Sequence, residues 1–399
     1  MLPLVEAVTP AQGAERRVQC SEVPIIAVLL IASNLFFFLL VQKANAGLAK
    51  GDFKMFYAGA LALRSGHAAD LYNPDLYGSI ERRFLSDLPS KDVKVYTHPP
   101  YELLVFWPLS FLGYKAAGYC WIALSIVLGI ACGRMLSGYA AVLGLFPFLT
   151  MLLEQQDSIL ALLILIGCWH SLQKGREVWA GFLLGLGLFK FPIVLPLAIL
   201  LLLWRPAIGK GFALSGSLVI LVSVLLVGLG GMRSYARYIS AMASRSTAAV
   251  SESYHMDPRT NPTLRGLTYE VFSRGQESVA ASAGRALTPV LVFLDLLCLG
   301  LAVVFVRGNA PPETKFAVAL LAALLVGFHV LMHDLILVAL PFTLLRGISA
   351  RWALSIFYLA PLVYLFYPRS QCWLALAVIA SLCLVVMSYR RRMAYEPSR

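Results

Sequence analysis

Residues 178–204 read VWAGFLLGLGLFKFPIVLPLAILLLLW, an apolar stretch with a single charge, Lys190. The stretch is too long for one comfortable membrane helix, yet each half is short. Residues 178–189 would rise only about 18 Å as a helix, against a hydrocarbon core of about 30 Å. Short helices are tolerated in a bilayer only where protein or a water-filled cavity covers their ends. The stretch therefore predicts two broken membrane helices with a lysine at their junction.

The same apolar character extends along the whole chain. Of its 399 residues, 59% are hydrophobic and 14% are charged, whereas soluble domains carry about 25% charged residues. The apolar runs are continuous rather than alternating, which favours helices over a β-barrel. We therefore predict an all-α polytopic membrane protein, one integral domain over residues 1–399, with about twelve transmembrane segments, some of them short or broken. The predicted segments are 22–42, 116–136, 139–153, 158–173, 178–189, 191–204, 212–231, 286–306, 316–331, 335–345, 352–367 and 372–389.

The distribution of basic residues predicts the orientation. With the amino terminus in the cytoplasm, the inner connectors hold most of the Lys and Arg of the short loops, as the positive-inside rule requires. Two long loops then lie outside, 43–115 with an interfacial segment at 99–112, and 232–285. Both are basic, which runs against the rule and would suit a phosphate-bearing substrate or an anionic lipid. We expect a multi-pass protein of the cell membrane (plasma or inner), anchored by an uncleaved first segment, although ANAG at 44–47 resembles a cleavage site.

Composition also indicates which ligands the chain does not bind. The net charge of +12 follows membrane topology rather than forming a nucleic-acid-binding patch, so no nucleic acid is expected. The seven cysteines lie mostly inside apolar runs without a C-x-x-C pair, which favours packing over a disulfide framework or a metal cluster. No metal site and no cofactor is predicted.

Three apolar stretches are interrupted by polar residues. The interruptions are EQQD at 154–157, Lys190, and HVLMHD at 329–334. By the predicted topology all three reach the outer side, where Asp52 and His98 also lie. A charged side chain that faces lipid at mid-membrane costs at least about 2.5–3.5 kcal/mol, so such residues usually face a cavity. Their shared placement predicts an active site that opens outward between short helices.

Each of these residues also has a purely structural interpretation. EQQD could form a simple turn, Lys190 could snorkel to the interface, and His329 could be a packed, hydrogen-bonded core residue. Asp334 could cap the helix that follows it. Asp52 precedes a helical pattern, so helix capping alone could explain it.

Six motifs in series resemble those of glycosyltransferase family 87. They are GDFKMFYAGALALRSGHAADLYNPDLY (51–77), THPPYELLVFWPLSFL (97–112), EQQDSILALLI (154–164), GLGLFKFPIVLPLAILLLLWR (185–205), NPTLRGL (261–267) and HVLMHDLILVALP (329–341). The resemblance covers about residues 50–345 in the family's order. The chain departs from the family pattern at Glu154 in place of Gly, Asp157 in place of Asn, Phe191 between Lys190 and Pro192, and Thr263 in place of Ser; His98 stands where an aromatic residue is usual.

The resemblance implies a GT-C-like fold and a site on the outer face. It implies a donor in which a polyprenyl phosphate carries the sugar, typically mannose, and an inverting transfer to a lipid or glycan hydroxyl. The family's acid in the first outer loop corresponds to Asp52. The expected roles are catalytic for Asp52, His329 and Asp334; donor and phosphate binding for Lys190, Arg265 and Tyr57; and acceptor or sugar binding for Gln155, Gln156, Asp157, Asn261, His98 and His333.

Two other classes of protein remain open from the sequence. Broken helices with charged residues also mark secondary transporters and lipid or glycolipid flippases. Such proteins place these residues near the midplane and are built from repeated halves, and no internal repeat is visible in this chain. A non-catalytic membrane scaffold would leave the convergent polar residues unexplained.

Overall fold

The computed structural model describes residues 51–73, 96–244, 257–273, 277–345 and 370–395, with single positions at 32, 39, 357 and 363. This part of the chain is helical and contains no strand, which confirms the predicted all-α class. The predicted segments 22–42 and 352–367 lie outside the described residues apart from those single positions, as does the 44–47 site.

Fourteen α-helices and seven 3₁₀ turns follow one another in the described ranges. The α-helices are α1 (Phe53–Arg64), α2 (Leu103–Phe106), α3 (Tyr114–Met135), α4 (Tyr139–Leu143), α5 (Phe146–Glu154), α6 (Ser158–Gln173), α7 (Glu177–Leu186), α8 (Phe191–Trp204), α9 (Ile208–Ser244), α10 (Leu264–Ser273), α11 (Glu277–Arg307), α12 (Pro312–Val326), α13 (Ala339–Leu344) and α14 (Leu374–Tyr395). The 3₁₀ turns are Ala68–Asp70, Pro100–Glu102, Trp107–Phe111, Gly187–Lys190, Pro258–Thr260, Met332–Val338 and Gln371–Trp373.

Five helical stretches in the described residues are long and apolar enough to cross a membrane. They are Tyr114–Met135, Glu177–Trp204, Ile208–Ser240, Leu287–Arg307 and Gln371–Arg390. Shorter apolar helices at Ser158–Gln173 and Met332–Leu344 accompany them. Long and short helices together are what the sequence predicted for a polytopic membrane protein.

The stretch Glu177–Trp204 is broken at Lys190, as predicted. Glycines bring α7 and the start of α9 into backbone contact: a Cβ on Gly181 would lie 1.9 Å from the carbonyl oxygen of Ile208, and one on Gly211 would lie 1.7 Å from that of Val178. A straight helix over 177–204 would carry Ile208 about 40 Å away from Gly181. The chain therefore reverses at the 3₁₀ turn Gly187–Lys190, and α7 and α8 form two short, oppositely directed halves.

Two helices run further than predicted. Helix α9 continues to Ser244, beyond the predicted end at 231, after a break at Gly228. Gly228 has φ 70° and ψ 172°, a conformation that is essentially restricted to glycine. Beyond the break the helix packs Tyr235 onto Tyr72 of the first loop, with ring centroids 4.8 Å apart. Helix α11 likewise begins at Glu277, inside the predicted loop.

Helix α12 is the centre of the larger core. Every residue from Phe316 to Leu325 is almost completely buried, and the helix packs against α8, α11 and α14. A second core joins α1 to the segment around α2 and to Trp121 of α3. The described part of the first loop is therefore packed against α3 through this second core.

Candidate active site

The broken helices bring their polar ends together. Glu154 lies at the carboxyl end of α5, and Ser158 starts α6. Lys190 ends the turn before α8, and Asp334 lies in the 3₁₀ turn after α12. Hydrogen bonds and ion pairs join these segments to one another and to α1 and the segment before α2. The sequence prediction that the interruptions converge therefore agrees with the geometry.

Lys190 lies at the centre of a buried ion cluster. Its Nζ is 2.8 Å from Asp157 Oδ1 and 3.0 Å from Asp334 Oδ1. Ser158 Oγ donates a hydrogen bond to the same Asp334 oxygen at 2.6 Å. Lys190 is only 7% exposed, so it does not snorkel to the interface. Two carboxylates balance its charge instead, as a buried ammonium requires.

Asp334 has a capping role as well. Its Oδ2 accepts a hydrogen bond from the backbone N–H of Leu331 at 3.0 Å, which satisfies the start of the Met332–Val338 turn. The interpretation of Asp334 as a capping residue is therefore confirmed, but capping uses only its Oδ2. The other oxygen belongs to the ion cluster.

His98 and Glu102 extend the cluster towards the first loop. His98 Nδ1 is 2.8 Å from Glu102 Oε2 and 3.4 Å from Asp157 Oδ2. Burial acts to lower the pKa of His98, but the carboxyls of Glu102 and Asp157 outweigh it and raise that pKa to about 10. Burial raises the pKa of Glu102 to about 8.

Asp157 is the anion of this group. Burial alone would raise its pKa, but Lys190 and then Glu102 and His98 hold that pKa well below its ordinary value. At neutral pH His98 is then a cation and Glu102 is neutral, so Lys190 and His98 balance Asp157 and Asp334. The buried cluster has no net charge, which is the least costly arrangement for charges away from water.

Asp52 lies outside this neutral cluster. Gln156 Nε2 donates a short hydrogen bond to Asp52 Oδ2, and the Asp52 backbone N–H donates to the carbonyl of Glu154 at 2.8 Å. Asp52 precedes α1, but its side chain makes no capping hydrogen bond there. The interpretation of Asp52 as a helix cap alone is therefore wrong, and its carboxylate faces the EQQD segment instead.

Glu154 pairs with His333 beside Asp52. His333 Nδ1 is 2.5 Å from Glu154 Oε2, and His333 Nε2 is 3.7 Å from Asp334 Oδ1. The Glu154 side chain is 39% exposed, whereas that of His333 is 2% exposed. His333 thus connects an accessible carboxylate to the buried cluster.

Gln155 and Gln156 are buried amides with unfilled hydrogen-bonding capacity. Gln155 adopts a left-handed conformation, φ 55°, and its carbonyl accepts a hydrogen bond from Trp121 Nε1 at 3.1 Å. Among the residues that the structure describes, no hydrogen-bond partner lies near Gln155 Oε1, Gln155 Nε2 or Gln156 Oε1. Because such atoms are rarely left unsatisfied, they suit a polar ligand. EQQD is therefore more than a simple turn.

The remaining predicted residues lie around or away from the cluster. Arg265 Nη1 donates to the carbonyl of Phe328 at 3.2 Å, which places α10 beside the residue before His329. Asn261 Nδ2 donates to the carbonyl of Pro258, and its buried Oδ1 has no hydrogen-bond partner within the described ranges. Tyr57 points elsewhere, since its hydroxyl donates to Leu112 in the interfacial segment at 2.7 Å.

One group in the described residues has the atoms of a metal site. The ligand atoms of His98, Glu102 and Asp157 all lie within 4.8 Å of one another. A histidine and two carboxylates would suit a divalent transition metal. Lys190 Nζ also contacts Asp157 in this group, at 2.8 Å from Oδ1.

Two site residues escaped the sequence analysis. Glu102 lies in the apolar segment PPYELL, and an acid in such a segment is itself a signal of function. Ser158 carried no signal, because an isolated serine before an apolar run is common at helix starts. Glu154 was noted only as a departure from the family pattern, and its pairing with His333, 179 positions away, could not be read from the sequence.

Comparison with known proteins agrees with this geometry. The model of glycosyltransferase family 87 matches residues 96–332, more than half of the chain, and the match includes most of the ion cluster. No curated protein and no solved structure matches the chain significantly. The chain belongs to glycosyltransferase family 87 and is a membrane glycosyltransferase.

Proposed function

We propose that the protein transfers a sugar, mannose, from a polyprenyl-phosphate donor to a hydroxyl of a lipid or glycan, with inversion. The observation that carries this proposal is the Asp52 carboxylate, oriented by Gln156 at the edge of a neutral ion cluster. The reaction takes place on the extracytoplasmic face of the plasma or inner membrane, where the predicted topology puts these residues.

Asp52 acts as the general base. As the acceptor oxygen bonds to the anomeric carbon, its proton passes to Asp52, and the bond between that carbon and the phosphate oxygen breaks with its electrons on the phosphate. General-base assistance is worth about 10²–10⁴-fold in rate. His329 and Asp334 orient the acceptor and pass on the proton.

Cations bind the departing phosphate, because preorganised charge stabilises a leaving group in a poorly hydrated site. Arg265, which approaches the cluster through Phe328, is one such cation. Lys190 is the other. An ammonium has three N–H donors, and the ion pairs with Asp157 and Asp334 occupy two, so a third can reach the phosphate. Tyr57 is not part of this phosphate-binding group, because its hydroxyl donates to the carbonyl of Leu112.

Amide side chains bind the sugar. The unsatisfied buried atoms of Gln155, Gln156 and Asn261 are suited to hydroxyl groups, which both donate and accept. His98, Asp157 and His333 complete the polar lining. The short helices around α2 expose Leu104, Trp107 and Phe111, an apolar surface for the polyprenyl chain.

Purified protein incubated with radiolabelled polyprenyl-phosphate-mannose and membrane lipids tests the proposal. Label in a new lipid or glycan product, absent with Asp52→Asn, is the expected result. Full turnover by a folded Asp52→Asn protein would remove Asp52 from the base role. Label that only crosses the bilayer, without a new product, would instead indicate a transporter or flippase.

A further inference from the structure

We propose that Glu154, held by His333, binds the acceptor beside Asp52, and that the acceptor is a neutral polyol such as a sugar rather than a simple alcohol or an anionic head group. This inference rests on the proposed transfer reaction. It adds the chemical class of the acceptor and a specificity-determining residue that the family pattern, with Gly at this position, does not supply.

The position of Glu154 carries the first step. It is the last residue of α5, and its carbonyl accepts the backbone N–H of Asp52 at 2.8 Å. The three residues that follow, Gln155, Gln156 and Asp157, are at most 4% exposed, whereas the Glu154 side chain is 39% exposed. Glu154 is therefore the accessible carboxylate next to the proposed base.

The second step is the orientation of this carboxylate. An exposed glutamate ordinarily samples several rotamers, and ordering it costs conformational entropy. Here the nearly buried His333 is 2.5 Å from Oε2, and its other ring nitrogen lies 3.7 Å from Asp334. Packed between two acids, His333 keeps Glu154 in place before any ligand binds, which lowers the entropic cost of binding.

The third step is the remaining capacity of the carboxylate. Two carboxylate oxygens offer about four lone-pair positions. The described residues supply Glu154 with the single partner His333, on Oε2. A ligand with O–H donors can therefore bind there, and hydrogen bonds to a charged acceptor are about twice as strong as neutral ones.

These steps define the acceptor class. With Asp52 receiving the proton of the attacking hydroxyl, a second carboxylate alongside accepts hydrogen bonds from neighbouring hydroxyls of the same molecule. Sugars and other vicinal diols present such hydroxyls, but a simple alcohol does not. An anionic head group at this point would face two carboxylates and be repelled.

The test compares acceptors in Glu154→Gln and wild-type protein. Octyl glycosides of mannose, glucose and galactose serve as polyol probes and n-octanol as the simple alcohol, with radiolabelled polyprenyl-phosphate-mannose as donor. We expect Glu154→Gln to raise KM for the best octyl glycoside about tenfold or more, because a charged hydrogen bond is lost. In wild-type protein kcat/KM for the best octyl glycoside should exceed that for octanol at least about tenfold, and in Glu154→Gln the KM for the donor should stay within about twofold of wild type.

Two further variants make the test specific. Glu177→Gln is the matched control, since Glu177 is a partly exposed acid on α7, paired with Arg205, and it should leave every constant unchanged. Glu154→Asp, which keeps the charge but shortens its reach, should also raise KM for the glycoside. Gel filtration and thermal unfolding show that each variant is folded.

The outcomes separate the inference from the proposed function. Wild-type protein that uses octanol as well as the glycosides would overturn the acceptor class. An unchanged KM for the glycoside in Glu154→Gln, or a fall in kcat alone, would overturn the role of Glu154, and in each case the transferase itself would stand. If the wild-type protein transfers mannose neither to these acceptors nor to membrane lipids, the proposed function is overturned, and the inference falls with it.

Discussion

The buried ion cluster and the edge of the site contain the same kinds of side chain but hold them differently. Around Lys190, three acids, a lysine and a histidine neutralise one another almost out of contact with water. At the edge, Gln156 donates a hydrogen bond to Asp52, and His333 pairs with Glu154, whose side chain is 39% exposed. The comparison teaches that a charged residue at membrane depth need not be the reactive one. The cluster joins the broken helices to one another, and the more accessible carboxylate lies at its edge.

Loss of the proposed base should have the largest effect on activity. Asp52→Asn keeps the contact surface with Gln156 but cannot accept the acceptor proton, so we expect kcat to fall about 10²–10⁴-fold. The unfolding temperature in detergent should change little, because the Asp52 side chain makes no capping hydrogen bond to α1. Initial-rate measurements with saturating donor check the fall in kcat, and thermal unfolding checks that stability is unchanged. A protein that loses stability rather than turnover would place Asp52 with the structural residues.

Loss of the central cation should have the largest effect on stability. Lys190→Met removes one of the two cations, so Asp157 and Asp334 share only His98 as a buried counter-charge, and breaking such a buried pair costs about 3–5 kcal/mol. Thermal or denaturant unfolding of the purified protein measures the loss. The triple change Lys190→Met, Asp157→Asn, Asp334→Asn should recover part of the stability, since it removes the unpaired charges as well. A Lys190→Met protein as stable as wild type would contradict the neutral-cluster description.

The titration of Glu102 and His98 should make stability depend on pH in a defined direction. Both pKa values are raised in the folded protein, Glu102 to about 8 and His98 to about 10. Folding therefore binds protons, and these two groups contribute stability at low pH that is lost as pH rises from about 5 to about 10.

Glu102→Gln tests this dependence, because glutamine cannot release the proton that Glu102 holds. The difference in unfolding temperature between wild type and variant, followed from pH 5 to pH 9, should shift in favour of the variant as pH rises. Glu313→Gln, on the first turn of α12 away from the cluster, is the control. A difference that does not vary with pH would mean that Glu102 does not carry the proton.

The smallest effect is expected where a predicted site residue lies away from the cluster. Tyr57→Phe removes the hydrogen bond to the carbonyl of Leu112, worth about 1 kcal/mol of stability. The ring remains in place, so KM for the donor should stay within about twofold. A large increase in KM for the donor would show that the hydroxyl reaches the phosphate after all.

The sequence analysis predicted the broken helices better than the loops. The reversal at Lys190 followed from two features of residues 178–204. The stretch is longer than one membrane crossing, and it contains a charge that lipid cannot accommodate. The continuation of α9 beyond Gly228 was missed, since local apolar content ends there while packing against Tyr72 sustains the helix. Tertiary packing overrides local composition in such segments.

The sequence by itself determined that this chain is a helical membrane protein, because hydrocarbon excludes unpaired charges and unsatisfied backbone. It also predicted that the polar interruptions come together. The family motifs added the reaction class. Only the tertiary structure decided which charges neutralise one another and which stay accessible. Glu154 and His333 lie 179 positions apart, and Ser158 and Asp334 lie 176 apart. Contacts over such separations depend on how helices pack, and neither composition nor local periodicity contains that information.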